Sequence, residues 1–219
     1  MIKIFILVIL LVFNSFASLL EDAHSAYKNG DIKIAIKLYK ESARKNNDEA
    51  YFKLGTIYYI GKVVKRDINK AMDYFKKAAS YDHIKSKYNV AVIYGLKQYK
   101  FHSYKKAYKI LLELAQDGHA KAQNKVGQYL LHGLGVDKDY KQSVKWFEQS
   151  YFKGKYNPAS CNLALMYATG KGVFVNLGRA RVLAQDGYKN NIPMCVKLYK
   201  DFNLHKYNKD KGFKFGFYN

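Results

Sequence analysis

Four times the chain places a serine three residues before a lysine: Ser25 and Lys28, Ser42 and Lys45, Ser103 and Lys106, Ser150 and Lys153. S-x-x-K is the nucleophile motif of one class of serine acyl-transfer enzymes, but that chemistry also needs S-D-N and K-T-G around the nucleophile. Neither is written here, and a chain with 34 lysines produces the spacing by chance. The six histidines (His24, His83, His102, His119, His132, His205) are scattered. None sits in an H-E-x-x-H or joins a C-x-x-C set, so neither a zinc site nor a cofactor is expected. A glycine-rich phrase, LALMYATGKGV over 163–173, has softer versions at 54–64 (LGTIYYIGKVV) and 126–136 (VGQYLLHGLGV). A phosphate-cradling loop would need a preceding strand and a G-x-x-x-x-G-K-[ST] or G-x-G-x-x-G frame, and both are missing. Catalytic residues are therefore not expected, and the phrase must have a structural meaning.

That meaning comes from its period. Ala50 opens AYFKLGTIYYIG; Ser86, Ala122 and Ala159 open corresponding phrases 36, 36 and 37 residues further on. The following segments repeat in step, with Ala71, Ala107, Ser143 and Ala180 at one matching place. A fixed period in this range signals a stacked-repeat architecture. Within a unit Tyr51, Leu54 and Tyr58 fall on one helical face. Gly55, Ala91, Gly127 and Ala164 share one position, where a small side chain lets a second helix approach. Gly61, Gly133 and Gly170 stand where a helix should end in a left-handed residue. Each unit is thus expected to be an αα-hairpin that buries its second face only by stacking on its neighbours. His83 and His119 are expected to close equivalent second helices, where a partly charged imidazole suits the helix dipole. Trp146 is expected in the core, at the place of Tyr74 and Phe75.

The pattern A-x-x-x-L-G-x-x-Y-x-x-G-x-G-V, followed by Ala and an aromatic, resembles the Sel1-like repeat, a relative of the tetratricopeptide repeat. Ala159, Leu163, Tyr167, Gly170, Gly172 and Val173 match it; so do Ala50, Leu54, Gly55, Tyr58, Gly61 and Val64, and Ala122, Gly127, Gly133, Gly135 and Val136. Residues 84–119 depart in the loop GLKQYKFHSY, and 19–47 look more like a tetratricopeptide unit. The resemblance implies an all-α solenoid of about five to six stacked hairpins: 19–47, 48–83, 84–119, 120–155, 156–192 and a degenerate 193–205. It also implies a concave face lined by first helices, with Phe52, Thr56, Tyr59, Tyr88, Val92, Asn124, Gln128, Leu131, Cys161, Leu165 and Ala168 facing it. Aromatic side chains of that kind anchor peptides, and none of these residues is a catalytic base. A protein or peptide partner is therefore expected. The alternative implied by the secreted cysteine-rich relatives is a weak β-lactam-binding hydrolase, although the cysteine pair they carry in every repeat is absent.

Cys161 and Cys195 fall in first helices of neighbouring units. Equivalent positions of packed helices lie about 10 Å apart, whereas a disulfide needs Cα atoms within about 7 Å. Two buried thiols are expected on that count; a bridge is the alternative that export favours. Export is itself expected. Residues 1–17, MIKIFILVILLVFNSFA, combine Lys3, a ten-residue apolar run from Ile4 to Phe13 and a Ser-Phe-Ala cleavage site. This is a secretory signal peptide, too short for a comfortable span, cleaved after Ala17 and delivering the protein to the periplasm or beyond.

The net charge is +21, carried by lysine with only four arginines. Codon bias of an AT-rich genome explains a lysine, asparagine, isoleucine and tyrosine excess. Attraction to an acidic envelope component is the functional alternative. The tail over 206–219, KYNKDKGFKFGFYN, reads as a frayed end or cap, with surface contact the alternative; export argues against nucleic acid.

Overall fold

The computed structural model describes residues 19–210. The signal peptide and the tail beyond Asp210 lie outside them. The described residues are helical throughout, without strands, and the chain divides into two compact units at Leu96/Lys97.

Unit 1 contains α1 (19–29), α2 (Ile32–Arg44), α3 (Asp48–Ile60), α4 (Ile68–Ala79) and α5 (Ile84–Tyr94). Its helices pack in chain order, α2 on α3, α3 on α4 and α4 on α5. Ala23, Ala35, Tyr39, Ala43, Ala50, Leu54 and Ile57 form one continuous cluster across α1, α2 and α3. Unit 2 contains α6 (Tyr104–Gln116), α7 (Ala120–His132), α8 (Tyr140–Glu148), α9 (Pro158–Thr169), α10 (Leu177–Lys189) and α11 (Pro193–Asp201). A π-helical turn, Gln149–Lys153, extends α8, and a 3-10 turn, Leu204–Lys206, follows α11. Its core runs from Leu131 and Phe147 through α9 and α10 to Leu198 and Leu204. Each unit is a stack of αα-hairpins, the solenoid architecture expected.

The repeat period reappears in the caps. Asp67, Ser103, Asp139 and Asn176 each accept a backbone N–H at the start of a second helix. At the start of first helices Asn47 accepts from Ala50, and at the same place His83 Nδ1 accepts from Ser86 and His119 Nδ1 from Ala122. The two histidines therefore open first helices and do not close second ones. The physics reverses accordingly: an imidazole that accepts through Nδ1 must leave that nitrogen unprotonated. At His119 burial, then Lys121, holds the pKa below 6.5, which favours the neutral ring.

The glycines have two jobs. Gly61, Gly133 and Gly170 adopt φ of 68°, 70° and 71° at the helix ends, as expected. The second glycine of each full phrase is also left-handed, and it touches the neighbouring hairpin. A Cβ on Gly135 would lie 2.5 Å from Lys105 N, and one on Gly172 would lie 2.5 Å from the Tyr140 carbonyl carbon. The loop of one repeat thus rests on the start of the previous second helix. The helix-packing position is matched by volume. A Cβ on Gly55 or Gly127 would sit 2.6 Å from the ring of Phe75 or Phe147. One repeat further on, Gly127 and Phe147 become Ala164 and Ala184, both buried in one cluster. At Ser143, the hydroxyl donates to the Gly127 carbonyl at 2.8 Å, which the close helix approach permits.

Cys161 and Cys195 are joined in a disulfide, with Cα atoms 5.1 Å apart. The expectation of two thiols equated the spacing of helix axes with that of Cα atoms. A Cα stands about 2.3 Å off its axis, so two residues facing each other across packed helices approach to about 5 Å. Gly187 of α10 makes the space: a Cβ there would overlap Cys195 and press on Cys161. Trp146 is half-buried.

Candidate functional site

The residues expected on the concave face divide into two sets. In unit 2, Asn124, Leu131, Cys161 and Ala168 are buried. Asn162 of α9 donates to Asn124 of α7 at 2.8 Å, tying two first helices together, and Cys161 is in the disulfide. These four residues are core, whereas Gln128 and Leu165 are half-buried. In unit 1, Phe52, Thr56 and Tyr59 on α3 and Tyr88 and Val92 on α5 are all half-buried.

Phe52 is held on several sides. Its ring lies 4.7 Å from His83 and 6.0 Å from Phe75, and Lys53 and Lys85 each approach it at 5.9 Å. Tyr59 packs on Phe75 and lies under Arg66, whose guanidinium is 5.5 Å from the ring. Glu49 completes this corner. It accepts from His83 Nε2 at 3.1 Å and pairs with Lys53 at 3.2 Å. Burial pushes the Glu49 carboxyl up, but the bonds from His83 and Lys53 outweigh it and leave the pKa below the ordinary value.

Thr56, by contrast, lines an open cleft of about 640 Å³ between α1 and α3, together with Glu21, His24, Ser25, Tyr27, Lys28, Tyr39, Lys53 and Ile57. His24 stands edge-on to Tyr39 with ring centroids 5.6 Å apart, and its buried Nε2 has no hydrogen-bond partner. Burial, then the charge of Lys53, lowers the His24 pKa. Burial pushes the Tyr39 hydroxyl up to about 12. The cleft therefore offers a neutral imidazole and aromatic and aliphatic walls, with lysines at the rim. Such a mixture is suited to a side chain or peptide segment that is partly apolar. His24, Tyr27 and Lys28 went unassigned to the concave face because α1 lacks the Leu-Gly and Gly-x-Gly landmarks that index the other first helices. Their signal is the register of α1 as a first helix, one unit before α3.

The four S-x-x-K serines have structural partners or placements. The Ser103 hydroxyl caps α6, and the Ser150 hydroxyl donates to the Ala120 carbonyl at 2.7 Å. Ser42 is buried, and Ser25 lines the cleft.

A stack of αα-hairpins whose caps and glycines recur at one period is a helical-repeat fold. The Sel1 repeat family model matches residues 24–47, 48–82, 120–152 and 157–190, more than half of the chain. The chain belongs to the Sel1-repeat family, whose repeats mediate protein–protein interaction. It is 32% identical over 147 residues to protein sel-1 homolog 2 of Mus musculus, covering 64% of this chain and 21% of the mouse protein. Among solved structures it resembles c5321, a protective antigen of uropathogenic Escherichia coli, with a TM-score of 0.76 at 21% identity over 88% of this chain and 42% of that one. A Sel1 repeat protein from Oxalobacter formigenes superposes with a TM-score of 0.69 at 24% identity, over 83% and 74% of the two chains.

Proposed function

We propose that this protein is an exported, non-catalytic adaptor that holds a protein or peptide partner on the first-helix face of unit 1, seated in the cleft between α1 and α3. The observation that carries the reading is the cleft itself, lined by His24, Tyr27, Tyr39, Thr56 and Ile57. A partner that packs an apolar group into this cleft while meeting the lysines at its rim suits both the walls and the edge. Export is supported by the composition of residues 1–17 and by the Cys161–Cys195 bridge, since disulfides persist in oxidising compartments.

The test is crosslinking and capture of the tagged protein in the cells that make it. The parent is compared with Thr56→Arg, which fills the cleft from a half-buried surface position, and with Phe52→Ala/Tyr88→Ala. A dominant partner retained by the parent and lost in Thr56→Arg supports the reading. Capture that is indifferent to Thr56→Arg refutes the cleft as the seat. Fractionation, together with the mass of the mature chain, tests export: a chain beginning at Ser18 outside the cytoplasm is the expected result.

A further inference from the structure

The hairpin loop at Gly170–Asn176 carries an apolar tip that its own repeat does not require. Phe174 is 95% exposed and Val175 is 61% exposed. In the two sister loops the same positions are Lys65 and Arg66, and Asp137 and Lys138, all exposed. Two copies of the hairpin thus carry charge there, and the third presents phenylalanine and valine. Folding cannot account for the difference, because an exposed side chain adds almost no burial. Val173, just before, is half-buried against the unit 2 core, as Val64 is in unit 1. The tip alone departs from the pattern.

Its surroundings are cationic. Lys141 shares with Phe174 and Val175 the rim of a cleft of about 660 Å³, and Lys171 lies two residues before Val173, over the Tyr140 ring at 5.8 Å. The neighbouring loop on the same edge carries Lys138 and rests on Lys105. None of these four lysines forms an ion pair among the described residues. The carboxylates of the edge are mostly engaged: Asp139 caps α8, and Asp210 pairs with Arg179 at 3.2 Å, leaving Asp137 exposed. The whole chain carries +21.

A protruding aromatic–aliphatic pair with lysines on its own loop, its cleft and the neighbouring loop has the chemistry of a peripheral membrane contact: apolar side chains enter the acyl boundary while lysines meet anionic headgroups. A protein partner would have to supply a pocket for Phe174, whereas a lipid surface needs none. We infer that the Gly170–Asn176 loop is a membrane-contact tip that inserts Phe174 and Val175 into an anionic lipid surface. This surface lies in unit 2 and is independent of the cleft proposed in unit 1.

The experiment uses the full chain, with Phe174→Cys carrying an environment-sensitive fluorophore. Cys161 and Cys195 are bridged, so the introduced cysteine is the accessible thiol. The local probe reports the tip irrespective of what residues 4–13 do. Phosphatidylglycerol–phosphatidylcholine vesicles are expected to shift its emission to the blue, and phosphatidylcholine vesicles alone are expected to leave it unchanged. In parallel, Phe174→Ser/Val175→Ser is expected to lower partitioning onto the anionic vesicles by at least about tenfold relative to the parent, with unchanged circular dichroism. Raising the salt is expected to weaken the parent's binding. A probe that stays in water on anionic vesicles overturns the inference. So does equal binding of parent and variant, or photo-crosslinking of the tip to a protein in place of lipid.

Discussion

Replacing Gly172 by alanine separates the two demands on the second glycine of the repeat, with Gly118→Ala as its internal standard. Both positions are left-handed, with φ of 74° at Gly172 and 87° at Gly118. Alanine in that region costs about 1–2 kcal/mol wherever it stands. Around Gly118 nothing lies within 4 Å of the new methyl, so its cost ends there. At Gly172 the methyl would meet the Tyr140 peptide, 2.5 Å from the carbonyl carbon and 2.9 Å from Lys141 N, and backbone cannot rotate away as a side chain can. The loop must lift off the start of α8, which adds the overpacking penalty of about 1–3 kcal/mol. For a chain of this length each kcal/mol moves the melting temperature by about 2–4 °C. Gly172→Ala is therefore expected to melt well below Gly118→Ala, with the loss split between shared strain and the extra contact. Thermal unfolding followed by circular dichroism reads both. Equal melting temperatures would refute the claim that the loop rests on the neighbouring hairpin.

Other expectations follow from the core and the caps. Reducing the Cys161–Cys195 bridge, or replacing both cysteines by alanine, is expected to destabilise unit 2 by about 3–4 kcal/mol from the 34-residue separation it closes, and to increase amide exchange in α11; an oxidised protein that still reacts with thiol reagents would contradict the bridge. Gly127→Ala is expected to be destabilising alone and to cost at least about 1 kcal/mol less in a Phe147→Ala background, because the ring it would strike is gone; additive melting shifts would deny the contact. Because the folded-state pKa of His119 is lowered, the unfolded chain takes up the proton more readily, so stability is present above pH 6.5 and is lost as pH falls from 6.5 toward the folded-state value. His119→Asn keeps an acceptor for the Ala122 N–H and is expected to flatten that loss in urea titrations at pH 7.5 and 5.5, and an unchanged slope would remove His119 as its cause.

The hairpin and its period are legible in the residues alone. Small residues at Gly55 and Ala71, helix-ending glycines at 61, 133 and 170 and apolar residues at helical spacing are local requirements, met by nearby residues of the same unit, and a period of 36 or 37 repeats them until they are unmistakable. What depends on facing direction emerges only from the packed helices. Asn124 and Leu131 occupy positions that the resemblance assigns to the open face, yet they are buried, Asn124 against Asn162 of α9 and Leu131 in the core cluster that holds Phe147 and Leu163. The cysteines fall in first helices of neighbouring units and are bridged in space, since Gly187 of a third helix admits both sulfurs. His83 and His119 are shown to be caps only by the nitrogen that each turns toward a helix N-terminus. Residue type and spacing constrain one helix against its own partner; the side chain a residue meets on a neighbouring repeat depends on rotation and close approach, which no single period encodes.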